Sequence, residues 1–165
     1  MIKARYIMHA VFLLAILFNL SSYLFLPDGV AIHFDRGGMP DSWMSKNSHI
    51  IFSTGLFVLL YVGFALSPNV LKGPPSRYIS LPNKYYWLID ENRQEASRRM
   101  AGLMYSFGIA TGLLLLASAI LSAAANLSDP VKLNTGILLP IFTLYVVFTV
   151  WWVFRLFIVF RVPKE

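Results

Sequence analysis

The chain has 165 residues, 57% hydrophobic, 15% aromatic and only 13% charged. A soluble domain is about 45–50% apolar and about 25% charged, so this composition excludes an ordinary soluble domain and places the chain in the membrane class. The net charge of +6 does not indicate a nucleic-acid partner, because the basic residues form no groove with interleaved aromatics. With no cysteine there is no disulfide, thiolate nucleophile or Cys-based metal site.

The first apolar run, 6–26, follows the basic start MIKAR. Crossing about 30 Å of hydrocarbon takes about 20 apolar residues as helix. The run is longer than a signal-peptide core and ends SSYLFLPDG without a small-x-small cleavage site, so an uncleaved first span is expected.

A polar loop, 27–48, comes next and contains GVAIHFDRGGMPDSW. Val30, Ile32 and Phe34 alternate with Ala31, His33 and Asp35, a short strand pattern with one apolar face. Asp35-Arg36-Gly37-Gly38 is a turn signal, and Met39-Pro40-Asp41 is expected to continue as irregular chain. The loop is expected to fold as a small cap, with Trp43 anchoring it at the membrane interface. His33, Asp35 and Asp41 are weak candidate ligands for a divalent cation, although no spacing fixes a third ligand. A structural role is the simpler expectation, with these side chains bonding the turn backbone. No metal or other cofactor is expected.

The second span, 49–67, leads into a loop, 68–99, that opens as a Pro-, Gly- and Ser-rich linker over 68–80. Tyr85, Tyr86, Trp87, Leu88 and Ile89 suit a segment lying in the interface. Asn92 and Glu95 make a capping-box pattern, so a helix is expected to begin there and continue into the third span. Glu95 and Arg99 form a favourable i,i+4 pair.

The third span, 100–126, carries small residues at helical spacing, with Gly108 and Gly112 as GxxxG. They let two helices approach closely, either within the chain or across a homo-oligomer. The fourth span, 136–160, holds the only charge inside any run, Arg155, expected to snorkel to the interface or to meet an anion or lipid headgroup beside Trp151 and Trp152. His9 is expected to be an interfacial residue. Asn19, Ser21, Ser22, Thr143 and Thr149 are candidate interhelical hydrogen-bonders.

Orientation follows from Lys and Arg. Lys3, Arg5, Lys72, Arg77, Lys84, Arg93, Arg98, Arg99, Arg155, Arg161 and Lys164 lie on one side of the four spans, eleven in all; Arg36, Lys46 and Lys132 lie on the other, three in all. Both termini and the 68–99 loop are therefore expected in the cytoplasm, and the 27–48 loop outside. The expected fold is an all-α membrane protein, N-in and C-in, in a single domain, with a small ordered external loop that includes a short β element.

Catalytic signatures are missing: there is no GxSxG, no P-loop, no Rossmann glycine fingerprint and no supported Ser-His-Asp arrangement. The spans hold no acid to carry protons or substrate, which counts against an ion-coupled transporter.

Two segments carry a resemblance. Leu26, Pro27, His33, Phe34, Gly38, Pro40, Asp41, Trp43, Ser45 and Lys46 resemble the signature of a bacterial integral-membrane family of unknown function, the domain shared with SdpI-type toxin-immunity proteins. Ala31 stands where that pattern usually has Pro. Pro82, Asn83, Tyr86, Trp87 and Leu88 resemble a second element of shorter family members, and the likeness runs from about Tyr6 to Leu116. The resemblance implies an inner-membrane protein without agreed activity or cofactor. SdpI-type members, which are longer, protect cells from a membrane-active peptide toxin.

Three functions follow as expectations. The first is a non-enzymatic multi-pass protein whose external loop recognises a peptide or protein partner, with binding candidates His33, Asp35, Pro40, Asp41, Trp43 and Lys46. The second is an accessory subunit of a larger membrane complex. The third, less favoured, is a metal-dependent membrane enzyme using the His/Asp cluster. The lipid bilayer is the expected partner in each.

Overall fold

A computed structural model describes residues 2–72 and 79–163. Helix α1 spans Ile2–Ser22, strand β1 Gly29–Phe34, β2 Pro40–Ser45 and α2 Lys46–Leu66. A 3-10 turn follows over Ser67–Lys72, then the short α3 at Lys84–Trp87, α4 at Asp90–Asn126 and α5 at Thr135–Val159. Arg77 and Lys164, both counted for orientation, lie outside the described residues, as does the 73–78 part of the 68–80 linker.

Four helices are long and apolar enough to cross a bilayer: Ile2–Ser22, Lys46–Asn69, Asp90–Asn126 and Thr135–Val159. The chain thus has the make-up of a multi-pass membrane protein. In a solvent without hydrogen-bonding partners, a helix satisfies its backbone internally. The first helix begins and ends about one turn earlier than the apolar run, because Tyr23–Leu26 closes it in turns with N–H groups donating to carbonyls of Leu20, Ser21 and Ser22.

Helix α4 is the spine. It packs on α1, α2, the 3-10 turn and α5, whereas α5 packs on α4 alone. At ~1.5 Å per residue, 37 residues of helix run ~55 Å, well beyond the hydrocarbon thickness. The excess is the charged turn region around Asp90, Glu91, Arg93, Glu95, Arg98 and Arg99.

Gly108 and Gly112 put α4 against α1. A Cβ at Gly108 would lie 2.7 Å from Met8 Sδ, and one at Gly112 would lie 2.9 Å from Val11 Cγ1 and 3.2 Å from the Phe12 ring. Met8, Phe12 and Phe64 form the buried cluster at this crossing. The GxxxG face is therefore occupied within the chain, by the close approach that small residues permit.

The expected interhelical bonds are partly redistributed. Asn19 Nδ2 donates to Ser53 Oγ and Thr54 Oγ1, both at 2.9 Å, linking α1 to α2. Ser21, Ser22 and Thr149 instead donate to carbonyls of their own helices, Phe18, Asn19 and Tyr145. One α4–α5 link is made by Thr111 Oγ1 and Tyr145 Oη at 3.0 Å.

The capping box is also corrected. Helix α4 starts at Asp90 with Ile89 as its cap residue, so Asn92 lies inside the first turn. Asn92 Nδ2 reaches back to Tyr86 O at 2.9 Å instead of capping a helix that begins after it. Glu95 pairs with Arg99 as expected, Nε to Oε1 at 2.8 Å, and also with Arg98.

Candidate functional site

At one end of the bundle the loop between α1 and α2 is a β-hairpin. Strands β1 and β2 pair antiparallel, Gly29 opposite Ser45, Val30 opposite Met44 and Ala31 opposite Trp43. Pro40 and Asp41, expected as irregular chain, thus open a strand that runs to Ser45. The register then shifts on either side of His33, which faces Ser42, while Phe34 faces Pro40. This irregularity breaks the expected alternation. Val30 and Ala31 are both buried, and Ile32 is 40% exposed. A bulge turns consecutive side chains out of the strict period of two.

The hairpin tip is built by Asp35. Its Oδ1 accepts the N–H groups of Gly37 and Met39, each at 2.8 Å, and its own N–H donates to Met39 O at 2.8 Å. An aspartate that bonds backbone two residues on closes turns in this way. Gly38 takes φ +81°, and a Cβ there would meet Leu133 O at 2.3 Å, so only glycine fits.

Four ties hold the hairpin to the helices. Leu133 N donates to Gly38 O at 2.8 Å, joining the tip to the α4–α5 linker. Asn126, the last residue of α4, reads the backbone of Ala31 on both edges. Ala31 N donates to its Oδ1 at 2.7 Å, and its Nδ2 donates to Ala31 O at 3.1 Å. Val30 sinks between the helices with Leu26, Ile50 and Ala123. Lys46, the first residue of α2, bonds Leu26 O at 3.2 Å, pairs with Asp28 at 3.3 Å and lies over the Tyr23 ring at 5.0 Å.

Against this frame, several side chains are presented outward. His33 Nδ1 and Asp41 Oδ1 are 2.5 Å apart, with side chains 70% and 49% exposed. A polar pair this open adds little to stability. Trp43 is 51% exposed on β2, with Ile32 and Met39 also open. His33 and Asp41 are therefore brought together, while Asp35 is committed to the turn. Among the described residues no three His, Asp or Glu side chains gather as a metal site. The missing third ligand has a physical cause, since both Asp35 bonds go to backbone N–H groups. Pro40 opens β2, and Lys46 works as a strut on Leu26 O and Asp28.

The second motif sits at the other end of the bundle, and within it Trp87 is packed into the protein, 2% exposed. Pro82 and Asn83 form the turn entering α3, with Asn83 at φ 52°. Asn83 Nδ2 and Trp87 Nε1 both donate to Phe160 O, at 2.9 and 2.8 Å. Arg99 donates to Val159 O at 2.8 Å and lies over the Trp87 ring at 4.6 Å. These three side chains satisfy carbonyls that the end of α5 leaves without helical partners. Tyr86 packs edge-on to Trp87 at 5.0 Å, while Tyr85 is 87% exposed and Ile89 is 45% exposed.

Asn126 was not marked in the sequence as a site residue. The only available signal was a polar side chain ending a long apolar run, which also describes an ordinary helix terminus. Its partner lies 95 residues away.

Residues 10–60 match the family model of DUF1648, a domain of unknown function. The DUF1648 stretch takes in most of α1, the whole hairpin and most of α2, so the hairpin lies wholly inside the matched region. It ends before the Pro82–Trp87 motif and before the two residues, Asn126 and Leu133, that brace the hairpin from the rest of the chain. No curated protein and no solved structure matches the chain.

Proposed function

We propose that this is a non-enzymatic membrane protein whose hairpin recognises a peptide or protein segment outside the cytoplasm. The observation that carries this is the contrast within one hairpin. Its backbone is anchored by buried bonds to Asn126 and by the tip contact to Leu133, while His33, Asp41 and Trp43 face outward with little structural work to do. A rigid frame presenting a polar pair beside an exposed indole suits recognition, because little ordering entropy is lost on binding. The pair offers hydrogen-bonding groups and Trp43 offers an apolar anchor.

The Lys and Arg distribution supports an external hairpin and cytoplasmic termini. The resemblance to SdpI-type proteins supports a bacterial inner-membrane setting and makes a membrane-active peptide one candidate ligand. Replacing His33, Asp41 and Trp43 together by Ala is expected to abolish capture of a partner by crosslinking from the hairpin, with the fold intact. Unchanged capture and phenotype would rule the proposal out. A single cysteine at Arg36→Cys, in a chain with no other thiol, is expected to react with an impermeant reagent on intact cells. Tyr85→Cys is expected to react only in opened cells. The reverse pattern would invert the topology and remove the recognition surface.

A second reading, accessory subunit of a larger complex, draws on α5, which buries none of its 25 residues and packs on α4 alone. A monomeric mass with no co-purifying chain after gentle extraction at native expression would count against it.

A further inference from the structure

We propose that the groove between the last turns of α5 and the facing surface of α4 holds one anionic membrane phospholipid. Arg155 and Arg99 bind its phosphate, and an acyl chain lies along Gly102 and Ser106.

The groove encloses about 540 Å³, and all four residues line it together with Trp151. Arg155 lies four residues before the last residue of α5, so its Cα is ~6 Å inside the helix end. On α4 the arginines of this end have acidic partners: Arg93 has Asp90, and Arg98 and Arg99 share Glu95. Among the described residues Arg155 has none, and its guanidinium lies over the Trp151 ring at 5.4 Å. A guanidinium at that depth is costly unless something neutralises it. The anion always available at that level of a bilayer is a lipid phosphate, and the planar fork of Arg suits phosphate oxygens.

Arg99 is held ready at the mouth of the same groove. Its Nε is on Glu95 and its Nη1 on Val159 O, which fixes it level with the end of α5, about one turn above Arg155. Below the two arginines the wall is bare. A Cβ at Gly102 would meet nothing within 4 Å, and Ser106 turns its hydroxyl to Leu103 O at 2.7 Å. That leaves an apolar floor open to a hydrocarbon chain. Next to the lining Trp151, Trp152 donates its N–H to the carbonyl of Leu103, itself a lining residue, a placement that suits an indole near headgroup level. A soluble phosphate would match the arginines but leave this floor empty.

The test is native mass spectrometry of the full chain in mild detergent, titrated with phosphatidylglycerol or with phosphatidylcholine of the same acyl chains. One phosphatidylglycerol is expected to be retained at least tenfold more tightly than phosphatidylcholine. Arg155→Gln is expected to lose at least tenfold in that affinity. Gly102→Leu, which enters open space and keeps both guanidiniums, is expected to lose retention by filling the acyl seat. Arg161→Gln, beyond the groove, is expected to change nothing. Equal retention of the two lipids, or unchanged retention in Arg155→Gln or Gly102→Leu, overturns the proposal. So does displacement of the lipid from the wild-type chain by millimolar inorganic phosphate, which would make the ligand a soluble anion.

Discussion

Trp87→Ala is expected to lower fold stability by about 3–5 kcal/mol, the range for truncating a fully buried tryptophan. Trp87 sits at the centre of the cluster formed by Leu71, Leu81, Ala96, Leu103 and Phe160. Its ring meets Phe160 edge-on at 5.6 Å and carries the Arg99 guanidinium on its face. Its N–H also caps Phe160 O. Since α5 packs on no helix but α4, this clamp is its second attachment. Trp87→Phe keeps most of the packing and removes only the donor. Asn83 still bonds the same carbonyl, so a loss of about 1 kcal/mol is expected. Tyr85→Ala, two residues away and exposed, is the control and should stay within about 0.5 kcal/mol of wild type. Thermal unfolding in detergent reads all three. If Trp87→Ala melts with Tyr85→Ala, the clamp does not hold α5.

The second large effect is expected at Asn126→Leu. Leucine matches the volume but offers neither donor nor acceptor. The Ala31 N–H and C=O, both in a fully buried residue, then lose their partners. Each such group costs about 1–3 kcal/mol to leave unsatisfied. The damage should be local to the hairpin, because the helix contacts of α4 with α1 do not pass through Asn126. Faster hydrogen exchange at the Ala31 amide, with the helical amides still protected, is the expected signature. Capture by the hairpin should fall in parallel, although Asn126 itself is 5% exposed and unable to contact a partner. Retained protection at Ala31 together with unchanged melting would show that the amide-to-backbone pairing does not brace the cap.

Those two residues show where sequence pattern stops being informative. Trp87 sits in a run of aromatics, LPNKYYWLI, that suits an interfacial segment as well as a buried one. Composition cannot separate Tyr85, almost fully exposed, from Trp87, almost fully buried. The difference arises because the end of α5 arrives over one of them. Asn92 misled in the same manner: the capping-box spacing is present, but Tyr86 O competes for its side chain and the helix starts two residues earlier.

The hairpin was half legible. Turn chemistry at Asp35–Gly38 points to a folded loop, and His33, Asp35 and Asp41 group as candidate ligands, of which only His33 and Asp41 meet. The alternation of Val30, Ile32 and Phe34 suggested a regular face that the bulge at His33 breaks, and the pairing of β2 was not visible in PDSWMS, which opens with Pro and Asp, both poor strand formers.

By itself the amino-acid sequence determined that four helices are long and apolar enough to cross a bilayer, and roughly where each begins and ends. Hydrophobic length is a one-dimensional property and lipid enforces it residue by residue. Only the tertiary structure decided which polar side chains are spent holding the molecule and which are left to face outward. That choice depends on carbonyls and amides brought close from distant parts of the chain, Phe160 to Trp87 and Ala31 to Asn126, and no local pattern encodes such a meeting.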